Sequence, residues 1–318
     1  SRRQFHSLCC TLASALLLLV PNSQALPLRV TSWNLLPPAA RTNASGAITN
    51  GISLPAVAAA LKKLDPDVIL LQQVTDWAMC DELARAFKPA TYNVVVCSAF
   101  RDGRSGALRK QQVAILAKRK ARAYFSWSEP WRSRPAPTLP GGFAFAAFQV
   151  GTQRIGLFSV QVGSPPAPAT NAQQSATSPE ERLTATLDQL LAQVGSVSNW
   201  VTNRVDTFVV GSTFALPAGR QTALEDTPLQ LLQDAGFGDA FQDLPAKERA
   251  TQPGKSKQPG AVGDYLFTRP ADAAANPGVT RISLSRRFPI TCDVNLGPPT
   301  GIAAETVPAK PAPVPVRQ

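Results

Sequence analysis

The most constraining stretch of this chain is residues 65–74, DPDVILLQQV. Val, Ile and Leu follow one another without alternation, so a strand here must be covered on both faces. Its polar end, Gln73, is then delivered to a sheet edge, where sites are built. Residues 28–34, LRVTSWN, read the same way and deliver Asn34. The residue that the first of these strands delivers is a neutral amide.

The rest of the chain supplies elements around these two strands. Ser53 can cap a helix running through Lys63, with Leu54, Val57, Leu61 and Leu64 at helical spacing. A second helix, about 76–87, carries Trp77, Cys80, Leu83 and Phe87 on one stripe. YNVVVC (92–97) and QVAIL (112–116) read as strands, and 143–150 with 154–162 as a hairpin around Gly151-Thr152. Ser178-Pro179-Glu180-Glu181 is a capping box that starts a helix to about Val194. Strands are expected at 205–210, at 264–268 and after Pro289, with a short helix at 229–235 between the first two. The polar segment 247–263 reads as a loop on the substrate side.

The two ends read differently. Arg2 and Arg3 precede an apolar run over 8–20, Pro21 breaks it, and Ser23-Gln24-Ala25 supplies a small-x-small cleavage pattern. Such a segment is expected to be a signal peptide over 1–25, which makes the protein exported, periplasmic or secreted. A retained membrane anchor is the alternative. The domain then spans 26–296, and the Pro-rich tail 297–318, without apolar periodicity, is expected to be disordered or an extended spacer.

Composition then excludes chemistry. The single histidine is His6, inside the signal segment, so the mature chain has none for a general base, a proton shuttle or a metal ligand. Cys80, Cys97 and Cys292 remain after the signal, so at most one disulfide forms within the chain. Lys and Arg total 32 against 21 acids, a net charge of +11. That balance favours polyanions such as nucleic acid or a phosphorylated ligand, although many basic proteins simply have basic surfaces. The cations concentrate over 101–134, beginning with Arg101, Arg104, Arg109 and Lys110, with Phe100, Tyr124, Phe125, Trp127 and Trp131 interleaved. Such a stretch can pair with phosphates and stack on bases, or it can be a solvated face whose aromatics are buried at alternate strand positions.

In order, seven segments resemble the endonuclease/exonuclease/phosphatase superfamily, the deoxyribonuclease I-like fold. They are TSWN, ending at Asn34; PDVILLQQV for the family's PDVIxLQEV; and QVAIL for GVAIL. Gln161-Val162 stands for HL, Ser212 to Ala215 for GDFN, DYLF for IDYI, and Ser285 to Ile290 for SDHxPV. The resemblance covers about 28–296 and implies an α/β (α+β) fold, a four-layer α/β/β/α sandwich of two packed mixed sheets with its site at strand ends.

The departures are as systematic as the matches. The resemblance puts Gln73 in place of the magnesium-binding Glu and Gln161 in place of a phosphate-contacting His. Thr213 and Ala215 replace the Asp and Asn that orient water and stabilise phosphate, and Arg286 and Arg287 replace an Asp-His pair. Only Asn34 and Asp264 are kept, the latter where active members orient a histidine. An amide contributes no charge to Mg²⁺, and two arginines repel the ion. No catalytic residue set is intact, no metal or other cofactor is expected, and Asn34 and Gln73 are relic metal positions. Arg286 and Arg287 make an anion site conceivable, because guanidinium pairs bidentately with phosphate. Equally, they can serve only to neutralise Asp264. The first reading is therefore an exported pseudoenzyme that binds a phosphate-bearing or polyanionic ligand. The second is a residual Mg-dependent phosphodiesterase or nuclease drawing on Asn34, Asp264 and acids such as Asp226 or Asp239. The third is an interaction scaffold attached through its tail.

Overall fold

The computed structural model describes residues 27–36, 41–42, 48–49, 51–103, 105–109, 111–132, 141–162, 178–200, 204–214, 227–254 and 260–296. The expected signal segment and tail, together with Arg104, Lys110, Ala215 and Asp226, lie outside the described residues. Among the described residues no helix is long and apolar enough to cross a membrane.

The first third alternates strand and helix as its pattern requires. Strand β1 (Leu28–Asn34) precedes helix α1 (Leu54–Leu64). Ser53 caps that helix through a 3.4 Å contact from the Ala56 N–H, and Asp65 ends it in the left-handed conformation at φ 47°. The chain passes directly into β2 (Val68–Val74). Helix α2 (Trp77–Arg85) is capped by Asp76, whose Oδ1 accepts the Met79 N–H at 2.8 Å. Cys80 and Leu83 face inward, but Trp77 is 56% exposed, off the stripe where its spacing puts it. As the first helical residue it precedes the turn that meets the sheet.

Strands β3 (Tyr92–Cys97), β4 (Gln112–Lys118), β5 (Ala123–Pro130), β6 (Gly141–Val150) and β7 (Gln153–Val162) follow. Then come α3 (Pro179–Ser198), β8 (Thr207–Thr213) and α4 (Gln230–Asp234). The chain ends with β9 (Gly238–Asp239), α5 (Ala246–Arg249), β10 (Asp264–Arg269), β11 (Ala274–Val279) and β12 (Ile290–Val294). The capping box of α3 is present, with both reciprocal hydrogen bonds made. This helix outruns the expected end at Val194 because Val197 continues its buried stripe.

Besides β5, which the sequence left as one of two readings, the strands not legible in the sequence are the two-residue pair Arg41–Thr42 and Ile48–Thr49, β9 and β11. β5 is the heart of the basic, aromatic stretch, and its Trp127 packs on Phe145 at 4.3 Å between ring centroids. Phe100 and Trp131 are buried and Phe125 is 45% exposed, so most of these aromatics serve the core. β9 is only two residues long. β11, AANPGV, contains a turn-like Asn-Pro-Gly, which a bulge between Ala275 and Gly278 absorbs at the sheet edge.

Two six-stranded mixed sheets result, in the orders β11-β12-β1-β2-β4-β3 and β9-β10-β8-β7-β6-β5. Each has one parallel pair at its centre, β1 with β2 and β7 with β8, and its other pairs are antiparallel. Facing side chains such as Val30, Leu70, Ile115, Ala146, Leu157 and Val209 make the core between the sheets. α1 and α2 cover the outer face of the first sheet, and α3 covers that of the second. The expected four layers are therefore observed.

At the centre the sheets approach closely. A Cβ at Gly211 of β8 would lie 2.6 Å from Leu70 Cδ1 and 2.8 Å from Ser32 Oγ across the gap. Beside it, Gln72 Nε2 donates to Ser32 Oγ at 3.2 Å and to Ser159 Oγ at 3.1 Å, while Ser159 donates to the Leu71 carbonyl at 2.8 Å. Gly211→Val should overpack this contact and cost about 3 kcal/mol, read as a lower denaturation midpoint in urea. A variant as stable as the parent would show that the sheets are not in close contact there.

Candidate strand-end site

Both central parallel pairs end at one edge of the sandwich. Asn34 closes β1 and Thr213 closes β8, and the Asn34 side-chain amide donates to Thr213 Oγ1 at 2.8 Å. Thr213 stands opposite Asp264 in the antiparallel β8–β10 ladder, and its hydroxyl donates to Asp264 Oδ1 at 2.6 Å. The other carboxylate oxygen, Oδ2, lies 3.3 Å from Arg287 Nη1. Asn34 Oδ1 accepts the Leu36 N–H at 2.9 Å. The result is a continuous chain, Asn34–Thr213–Asp264–Arg287, drawn from both sheets and from the loop before β12.

The loop is held for this purpose. Ser285 Oγ lies 2.7 Å from the Asn34 carbonyl and 2.8 Å from that of Leu36, and it accepts the Arg287 N–H at 3.2 Å. Trp33 Nε1 donates to the Arg287 carbonyl at 3.0 Å. A side chain at Gly263 would overlap the Arg287 guanidinium, so glycine there leaves the path to Asp264 open. Thr251 Oγ1 accepts the Gly263 and Asp264 N–H groups, both at 3.1 Å. Burial pushes the Asp264 carboxyl above the usual range, and the Arg287 charge and the Thr213 and Thr251 hydroxyls oppose that rise.

The remaining positions diverge. Gln73 is the bulged residue between Gln72 and Val74 opposite Gln112, at φ 62°, so it leaves the strand in the left-handed region. The sequence placed Gln73 simply as the polar strand end. Its neighbour Gln72 turns instead into the gap between the sheets, and Gln73 is half-buried at the edge. Gln161 pairs with Thr213 along β7 and β8, and its buried Oε1 has no hydrogen-bond partner among the described residues. Arg286 is exposed while Arg287 turns inward, so the structure separates the two arginines. Asp239 is held by Arg249 at 2.6 Å and by the Phe241 N–H at 3.0 Å, away from the strand ends of Asn34 and Thr213.

The basic loop opens at the same edge, since β4 runs antiparallel to β2 and begins beside Val74. Gln112 clamps it. Its Oε1 accepts from Ser98 Oγ at 2.6 Å and from the Phe100 N–H at 2.8 Å, and its Nε2 donates to the Phe100 and Arg109 carbonyls at 3.0 and 2.7 Å. Arg101 is exposed, with Nη1 on the Gly106 carbonyl at 2.8 Å, and Arg109 is partly buried. Segment 247–263, expected as a loop, begins in the single turn of α5. With neighbouring residues it lines a groove of about 660 Å³, in which Lys247, Arg249 and Arg281 supply positive charge beside Gln252 and Phe288. Gln112, Thr251 and Ser285 were missed as site-building residues. The one available signal was Ser285, at the serine of the SDHxPV-like segment.

Divalent cations take oxygen ligands, with carboxylates preferred, and the donor set here suits none. Both side-chain ends of Asn34 are engaged, Gln73 is neutral, and Asp264 is paired with a fixed cation. Among the described residues no three His, Cys, Asp or Glu side chains cluster.

The same architecture occurs in solved structures. An endonuclease/exonuclease/phosphatase protein from Bacteroides vulgatus superposes with a TM-score of 0.61 at 12% identity, over 85% of this chain and 99% of its own. The chain has the endonuclease/exonuclease/phosphatase fold. A family protein from Leptotrichia buccalis C-1013-b gives 0.57 at 11% identity, over 84% of this chain and 99% of its own. D. rerio TDP2, complexed with a single-strand DNA product, gives 0.54 at 14% identity, over 84% and 98%. No protein-family model and no curated protein matches the sequence.

Removing Arg287 strands a buried carboxylate. Arg287→Ala should cost about 3 kcal/mol near neutral pH. The raised folded-state pKa of Asp264 sets the sign of the pH dependence. Its protonated form favours the fold, a contribution fully present below the unfolded pKa and lost as pH rises through the folded one. The deficit of Arg287→Ala relative to the parent should therefore shrink as pH falls from about 7 towards about 4. Urea denaturation across that range checks it, and a pH-independent deficit would contradict the pairing.

Proposed function

We propose that this protein is an exported, non-catalytic member of the endonuclease/exonuclease/phosphatase superfamily that binds a phosphate-bearing polyanion at its strand-end edge. The observation that carries this reading is the Asp264–Arg287 pair, at 3.3 Å. The carboxylate that remains at the strand ends is neutralised internally. The hydroxyl and amide beside it, Thr213 and Asn34, satisfy each other rather than a water or an ion. A threonine that already donates to a carboxylate is no general base, and the mature chain has no histidine to protonate or stabilise a phosphoryl group.

The binding half of the proposal is supported by charge. An excess of cations (+11 over the full chain, with Arg2 and Arg3 in the signal segment), exposed Arg101 and Arg286, and the cationic groove beside Gln252 offer a polyanion several contacts. D. rerio TDP2, of the same fold, holds a single-strand DNA product, which is a precedent for a phosphate backbone on this architecture. Export rests on the N-terminal segment read from the sequence.

Two measurements test the proposal. Calorimetric titration with Mg²⁺ or Mn²⁺ should give no specific heat of binding, and the protein should not turn over plasmid or a chromogenic diester. Metal-dependent turnover that disappears in Gln73→Ala would overturn the inactive reading. Fluorescence anisotropy with a labelled single-stranded oligonucleotide should show salt-dependent binding. Arg101→Ala and Arg286→Ala should each weaken it and lower the slope of log K against log salt by about 0.7 for each phosphate left unneutralised. Binding indifferent to both substitutions would remove the anion site.

A further inference from the structure

We infer that Cys80 and Cys97 are a disulfide-forming pair that fastens α2 to the end of β3 by thiol–disulfide exchange with a low-molecular-weight disulfide oxidant. Their sulfurs lie 4.0 Å apart, which side-chain rotation can close to the bonded distance of about 2.05 Å. Cys80 sits on the buried face of α2, and Cys97 is the half-buried last residue of β3. The joint between these elements is already fixed, because the Phe87 and Tyr92 rings pack, tilted by 32°, with centroids 4.2 Å apart and the Tyr92 hydroxyl donates to the Pro66 carbonyl.

Sheet order excludes the other pairings of the described cysteines. Cys292 lies on β12, separated from β3 by β1, β2 and β4. At about 4.8 Å per strand the two are roughly 19 Å apart. Cys292 also points into the core between the sheets, whereas Cys80 and Cys97 share the core under the helices.

The roles of the two sulfurs differ. Cys97 reaches solvent, and the hydrogen bond from the Cys80 thiol holds its own thiol below the usual range. Cys97 thiolate attacks the oxidant RSSR, forming a mixed disulfide and releasing one RS⁻, which takes up a proton. Cys80 then loses its proton to solvent and attacks the Cys97 sulfur, expelling the second RS⁻, which is protonated in turn. The sum is two protein thiols and RSSR giving one protein disulfide and two RSH. The new bond lies at the foot of the basic loop. Cys97 is followed by Ser98, which Gln112 holds, and α2 begins just after Gln73-Val74. Oxidation therefore ties α2 to the end of β3, the strand that leads into the loop carrying Arg101.

Peptide mapping of the full chain tests this. After equilibration with oxidised glutathione, denaturation and alkylation with N-ethylmaleimide, trypsin should release 64–85 joined to 86–101. Reductant should separate them. Reductant should also lower the thermal midpoint of the parent by roughly 5–10 °C and leave that of Cys97→Ser unchanged. Two maleimide-labelled peptides, or glutathione on Cys97 with Cys80 still free, would overturn the inference. So would a linked peptide containing Cys292.

Discussion

The structure depends on how closely its two sheets approach at their central strands. Gly211 leaves room for Leu70 and Ser32, and Gln72 bridges Ser32 and Ser159 across the same gap. Pleated sheets packed face to face at this spacing bring the ends of the two parallel pairs together at one edge. Asn34 from one sheet can then reach Thr213 from the other at hydrogen-bond distance. This hydrogen bond is a direct side-chain link between the strand ends of the two sheets.

Once the strand ends meet, the chemistry there follows from residue type. In active members of the superfamily, as the resemblance implies, acids and histidines at these positions would hold a metal and a phosphate. Here an amide, a hydroxyl and a guanidinium meet one carboxylate, and the hydrogen bonds close on themselves. Burying Asp264 without a partner would be costly, and Arg287 supplies the charge that offsets it. The same guanidinium that could bind an external anion is thereby turned inward, while Arg286, one residue earlier, stays in solvent. Positive charge available to a ligand comes instead from the loop clamped by Gln112 and from the groove near Gln252.

The sequence pattern carried much of this. An unbroken apolar run marked β2 as a buried strand, Ser53 and the Ser178 box set helix starts, and seven ordered segments pointed to the fold. Failures have identifiable physical causes. Trp77 fitted a helical stripe but precedes the turn that packs. β11 hid behind an Asn-Pro-Gly that an edge bulge can accommodate. Of the two readings open for the aromatics among the arginines, the structure supports burial for most: Phe100 and Trp131 are buried, and Tyr124 and Trp127 of β5 pack against the core. Gln112, Thr251 and Ser285 organise the site through backbone contacts that no spacing rule announces.

By itself, the sequence determined which side chains stand at the family-like positions, because a single histidine at His6 and the amide at Gln73 are matters of composition. It also placed Asn34, Gln161 and Asp264 at strand ends through the apolar pattern of each strand, whereas the strand expected at 205–210 runs on to Thr213 in the structure. Only the tertiary structure decided how they are used. Whether Arg287 faces a ligand or Asp264, whether Gln72 or Gln73 turns outward, and whether Cys80 meets Cys97 or Cys292 all depend on contacts between residues far apart in the chain. Such contacts arise from sheet order and the closeness of the layers, which local periodicity does not encode.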